Sequence, residues 1–104
     1  MHNHPVLSRM GIARRAGLLA VGTEKVTAAV KSGRAHLIIL ASDISPKTEK
    51  ELRFLTKGKT EMMRIEADLS AMSAAIGIRA GVAAVTDNGL AQAIRKAGML
   101  NDKI

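Results

Sequence analysis

Two stretches of this chain are apolar without a break, and they constrain what it can fold into more than any other feature. Leu37-Ile38-Ile39-Leu40 and Val82-Ala83-Ala84-Val85 carry no polar residue at alternate positions. A strand with one face in water alternates, whereas a strand that does not alternate is covered on both faces. Both runs are far too short to span a bilayer. They read as internal strands of a sheet with helices on either side, a three-layer α/β/α sandwich.

The intervening segments supply those helices. Val6, Met10, Ala13 and Gly17 are spaced 4, 3, 4 and share one helix face, with Arg9, Arg14 and Arg15 outward. Gly17 is a natural stop, and Leu18 to Val21 then reads as a short strand. Gly22-Thr23 opens a second helix with Val26, Ala29, Val30 and Gly33 on its buried stripe. Ser45-Pro46 starts a third helix, because serine caps free amides and proline at the first helical position loses no bond it needed. That helix ends at Gly58. Glu61 to Ile65 is a strand nearer an edge, since Arg64 interrupts it. Asp68 or Ser70 caps a fourth helix that stops at Gly77. Asp87-Asn88-Gly89 turns into the last helix, with Leu90, Ala93, Ile94 and Ala97 inward and a frayed tail after Gly98. The expectation is a four-stranded mixed sheet in a single domain, residues 1–104 with a core at about 5–97.

The chain has 104 residues, enough for one domain and too few for two. It is 47% apolar and 24% charged, the balance of a soluble globule. Phe54 is its one aromatic residue, so the core is built from Leu, Ile, Val, Ala and Met. The lack of cysteine excludes disulfides and thiolate metal sites. The polar start Met1-His2-Asn3-His4-Pro5 has no signal-peptide pattern, which makes the cytoplasm the default location. The formal net charge is +7, of which residues 1–42 carry +5 and the remainder +2. Such a field favours a polyanion and salt-dependent binding. No helix pairs a basic face with large exposed apolar residues, so a membrane partner is disfavoured.

Signatures of catalysis fail. Gly58-Lys59-Thr60 resembles the end of a phosphate-binding loop, but Arg53 stands where its first glycine belongs. Gly77-Ile78-Arg79-Ala80-Gly81 lacks dinucleotide-loop spacing. His2 and His4 sit at what reads as a disordered end without a third ligand, and His36 has no clustered acid or nucleophile. The reading is of a binding protein rather than an enzyme, with no cofactor and no metal.

The informative segment is Leu19 to Ala28. A glycine between strand and helix permits close backbone approach, and the helix start after it offers free amides and partial positive charge. Together these suit a phosphate. Thr23 can cap the helix or bond a phosphate oxygen, and Lys25 and Lys31 can add phosphate contacts. An ordinary strand-to-helix turn explains the same residues, and spacing alone leaves both readings open.

Four collinear stretches carry a resemblance. Gly11-Ile12-Ala13-Arg14-Arg15-Ala16-Gly17, Gly22-Thr23 with a helix ending at Ser32-Gly33, the segment Leu37 to Pro46, and the segment Ala75 to Val85 together resemble the ribosomal protein seven-Ae / thirty-e family. These are the kink-turn RNA binders, and the likeness is greatest to their small bacterial members of the YlxQ type. It spans about residues 5–97 and implies RNA contacts in two places. One is the Gly22-Thr23 turn with Glu24, Lys25, Ala28 and Lys31 of the helix after it. The other is the loop Ile78, Arg79, Ala80 to Gly81, which in the family covers the flipped-out bases of the RNA bend. Arg14 and Arg15 add charge.

The sequence departs from that family at the turn. Archaeal-type members usually read Gly-Thr-Asn-Glu-x-x-Lys, whereas Glu24, Lys25 and Ala28 stand here in place of Asn, Glu and Lys. Some bacterial relatives carry Lys-Gln for Asn-Glu and still bind. The resemblance thus implies a module for structured RNA, ribosomal or ribosome-associated, with a monomer as the default state. Two alternatives stay open: a protein-interaction module whose RNA surface has decayed, and a substrate-recruiting domain for a separate RNA-modifying enzyme. A single Phe cannot build the aromatic platform of a single-strand binder.

Overall fold

The computed structural model describes residues 4–102. Five helices alternate with four strands: α1 (Pro5–Arg15), β1 (Leu19–Val21), α2 (Thr23–Lys31), β2 (Leu37–Leu40), α3 (Pro46–Thr56), β3 (Glu61–Arg64), α4 (Leu69–Ile76), β4 (Val82–Val85) and α5 (Asn88–Asp102). The sheet order is β1-β4-β2-β3. Both uninterrupted apolar runs are internal, and every residue in them is buried. β4 is antiparallel to β1 and to β2, and β2 is parallel to β3, so the sheet is mixed.

Although the two runs do not alternate in composition, they alternate in direction. Leu37, Ile39, Ala83 and Val85 point into a core shared with Val6 and Met10 of α1, Met72 and Ile76 of α4, and Ile94 of α5. Ile38, Leu40, Val82 and Ala84 point the other way, against Val26 of α2 and Leu52 of α3. Three helices cover one face of the sheet and two cover the other.

Helix starts follow the expected chemistry. The Ser45 side chain accepts from the Thr48 amide at 3.1 Å, and Asp68, rather than Ser70, accepts from Ala71 at 2.8 Å. Asp87 accepts from Leu90 at 2.9 Å, which places Asn88 and Gly89 inside the first turn of α5 rather than in a separate turn.

Several glycines differ from expectation. Gly17 and Gly33 lie beyond their helices, are exposed, and adopt φ of 75°; they reverse the chain and do not continue the buried stripes. Gly98 does not end α5, which runs on to Asp102. A Cβ at Gly98 would stand 2.8 Å from Met63 Sδ, so this glycine lets α5 lie close against β3. Lys103 and Ile104, the end of the expected tail, lie outside the described residues. His4 is not on a disordered end: its Nδ1 accepts from the Leu7 amide at 3.3 Å and caps α1, while its Nε2 is buried without a partner among the described residues. His2 lies outside the described residues.

Candidate nucleic-acid interface

The strand register brings the two segments singled out in the sequence to one end of the sheet. Gly22 N–H donates to the Val82 carbonyl at 2.9 Å, and Ala41 N–H donates to the Gly81 carbonyl at 2.9 Å. The β1–α2 turn, the β2–α3 connection and the loop from Gly77 to Gly81 therefore lie side by side.

Gly22 has φ 93° and ψ 155°, a conformation open essentially to glycine alone. A Cβ there would meet nothing within 4 Å, so the backbone rather than crowding requires the glycine, and the space in front of the turn is open. Gly22 is also the N-cap of α2, and no side chain caps that helix. Thr23 is thus the first helical residue and not the cap. α1, α3, α4 and α5 are each capped by a side-chain acceptor, from His4, Ser45, Asp68 and Asp87. Among the described residues α2 alone keeps its first-turn amides without such a partner, and those amides carry the positive end of the helix dipole.

Glu24, Lys25, Ala28 and Lys31 are all exposed on α2. Thr27 is half-buried, and its hydroxyl donates back to the Thr23 carbonyl at 2.8 Å. The turn thus presents cations at Lys25 and Lys31 and one acid at Glu24.

The neighbouring loop is held at both ends. Arg14 Nη1 donates to the Ile76 carbonyl at 2.8 Å, closing the C-terminus of α4. Ser73 Oγ accepts from the Ala80 amide at 3.0 Å and donates to the Ala80 carbonyl at 3.3 Å. Gly77 takes φ of 80° between these anchors, and a Cβ at Gly81 would stand 3.1 Å from Ile44 and 3.3 Å from Leu69. The fixed loop projects Ile78, 42% exposed, and the exposed Arg79.

Not every expected contact residue is a surface group. Ala80 is buried, so it anchors the loop and offers no methyl to a partner. Arg14 does not simply point outward; it ties α1 to the start of the loop. Arg15, exposed in the last turn of α1, has no hydrogen-bond or ion-pair partner among the described residues. Gly11 belongs to the same device as Arg14: its absent side chain leaves room for the Ala75 carbonyl, 2.9 Å from where a Cβ would be. Sequence reading missed Ser73, whose role depends on a residue seven positions on and carries no helical periodicity.

Nothing at this end resembles a metal centre; no group of three or more His, Cys, Asp or Glu able to hold a metal ion occurs among the described residues. Nor is any helix among them long and apolar enough to cross a membrane. The geometry suits recognition of an anion by backbone amides and lysines beside a rigid, partly apolar loop.

A mixed four-stranded sheet between helical layers, with its exposed turn and loop at one end, defines a class of small α/β binding domain. Within that class the chain belongs to the ribosomal protein L7Ae/L30e/S12e/Gadd45 family, which it matches over residues 6–95. Among solved structures it is similar to a protein of unknown function from Bacillus halodurans C, at 29% identity and a TM-score of 0.83, covering 91% of this chain and 97% of that one. It is also similar to a 15.5kD RNA binding protein of Giardia lamblia, with a TM-score of 0.73 over 99% of this chain and 92% of that one. At 16% identity the second likeness is one of fold.

Proposed function

We propose that this protein binds structured RNA through the Gly22-Thr23 turn, the exposed face of α2 and the loop Ile78 to Gly81, and that it performs no chemistry of its own. The observation that carries the reading is the start of α2: it has no side-chain cap, opens onto free space, and lies next to a loop pinned by Arg14 and Ser73. Free amides and a helix dipole suit a phosphate, and Lys25 and Lys31 extend the positive surface along the helix. Ile78 supplies an apolar contact for a base turned out of a bent RNA. Family membership and the RNA-binding relative of the same fold support this reading. The RNA is ribosomal or ribosome-associated, of kink-turn type, bound by a monomer in the cytoplasm.

Glu24, Lys25 and Ala28 stand where archaeal-type members of the family carry Asn, Glu and Lys. They weaken discrimination between bent and straight RNA more than they weaken phosphate contact, because the amides and Lys31 are unaffected. The test is a salt titration of binding to a kink-turn RNA and to a straight duplex. Affinity falls steeply with salt, and replacing both Lys25 and Lys31 by Ala flattens the slope of log affinity against log salt by about one to two units. An unchanged slope would place the RNA on another surface.

A further inference from the structure

Phe54, the sole aromatic residue of the chain, is 81% exposed. A ring left in water forgoes one of the largest burial gains available to a side chain, and nothing in the fold uses it. Its surroundings are basic, so α3, against the expectation from sequence that no helix does so, sets a large exposed apolar side chain beside cations. Lys47 and Lys50 precede it by seven and four residues, spacings that put both near the ring's face of α3, and Lys57, the left-handed C-cap of that helix, lies beside the same surface. All are exposed.

Beside the ring runs an open groove between α2 and α3. Thr23, Thr27 and Lys31 line it from α2, Phe54 lines it from α3 and Lys57 from just beyond the end of α3, with Glu51 its one acid. Thr23 and Lys31 therefore belong both to this groove and to the turn assigned above to folded RNA. A strand leaving that turn has a continuous path along the groove to the ring.

We propose that the α2–α3 groove holds an unpaired nucleotide of a single strand flanking the folded RNA, its base stacked on Phe54 and its phosphates near Lys31 and Lys57. The inference rests on the RNA reading of the α2 turn and extends it. A nucleotide offers the pair of features this surface matches, a π-face for the ring and an anion for the lysines. A protein partner would have to supply acidic groups around an apolar socket, whereas an RNA strand leaving the α2 turn reaches the groove directly. One ring stacks one base, so the groove adds affinity to a structured site and does not create a general single-strand binder.

The experiment compares a blunt kink-turn RNA with two tailed forms of it, one carrying eight unpaired adenosines on its 5′ end and the other carrying them on its 3′ end. Wild-type protein should bind one tailed RNA about tenfold more tightly than the blunt one, in keeping with the usual value of a base–aromatic stack. Phe54→Ala should remove that increment and leave blunt-RNA affinity as it was, while Phe54→Trp should keep it. Ultraviolet cross-linking should join the tail to residue 54. The inference is overturned if neither tail adds affinity to the wild type, or if Phe54→Ala leaves the increment intact, in which case the ring faces a protein. A Phe54→Ala variant that loses blunt RNA equally also overturns it. Failure of the wild type to bind any of these RNAs would remove the RNA reading itself, and the groove proposal with it.

Discussion

The two faces of the sheet are built to different standards. Three helices close over one face, and their buried side chains include Met10, Met72 and Ile94, all at 0% exposure. Two helices cover the other face with a smaller cluster around Val26, Ile38, Leu40 and Leu52, and beside them a groove and an exposed Phe54 remain. Stability resides mainly in the first face, and the proposed ligand contacts lie mainly on the second. The division teaches that α2 can carry varied outward residues, Glu24 and Ala28 among them, with little consequence for folding.

The largest test of this contrast is a pair of core truncations. Met10→Ala should cost about 3–5 kcal/mol and Leu52→Ala about 2–3 kcal/mol, both measured by urea unfolding. Met10 is sealed among α1, α4 and α5, so its cavity stays empty, whereas the site of Leu52 opens toward the groove and can relax. Equal costs would erase the distinction between the faces.

Next in size is a gain on the recognition face. Glu24→Asn with Ala28→Lys removes an acid facing phosphate and restores a cation one helical turn along the same exposed surface. Binding to a kink-turn RNA should strengthen roughly ten- to a hundredfold, at about 1 kcal/mol per restored contact, with the melting temperature unchanged within a few degrees. A matching rise on straight duplex would show added charge alone, and no rise on either RNA would favour a protein partner for this surface.

Arg14→Ala probes the boundary between the two roles. Losing the charged donor to the Ile76 carbonyl should cost about 1–2 kcal/mol of stability and loosen the 77–81 loop. RNA affinity should fall while the salt slope stays as in wild type, because the guanidinium is committed to the protein. A slope reduced by about one unit would instead make Arg14 a phosphate ligand.

The smallest effect is expected at Glu49, which bonds to Arg53 at 2.7 Å and also pairs with Arg64. Hydrogen bonds from Arg53 and then Arg64 hold its carboxyl below the usual carboxylate range. A depressed carboxylate stabilises the fold above its unfolded value, about 4.3, and that contribution disappears as pH falls through the lower folded value. Glu49→Gln should therefore lower stability slightly at neutral pH, leave it unchanged in strong acid, and so flatten the acid side of the stability curve. A steeper acid loss in the variant would contradict the assignment.

Periodicity reveals which strands are covered, and capping chemistry reveals where α3 and α4 begin, because both signals are local. Leu37 to Leu40 and Val82 to Val85 can be placed in the interior from composition alone. Their neighbours cannot, since nothing in either run specifies that β4 lies between β1 and β2. The Gly22 turn is legible as a strand-to-helix glycine, and its lack of a side-chain cap becomes visible only beside the four helices that have one. Arg14 reads as an outward cation because its acceptor, Ile76, lies 62 positions away. Gly98 reads as a helix stop because its reason for being small, Met63, is on another strand. The exposure of Phe54 is equally hidden, as an aromatic residue in an amphipathic helix does not announce which side it takes.

The outer rim of β3 bears on how the protein behaves when concentrated. Glu61 there is bound by Arg95 at 3.1 Å, and Arg64 is bound by Glu49 and by the Ser42 carbonyl at 2.8 Å. Fixed charges at both ends of a four-residue strand oppose the docking of a second strand along its free amides and carbonyls. The opposite rim, β1, offers only three residues for such pairing. A crowded solution of this protein should therefore resist sheet-to-sheet polymerisation, and neutralising Glu61 and Arg64 together should be the shortest route to ordered fibres.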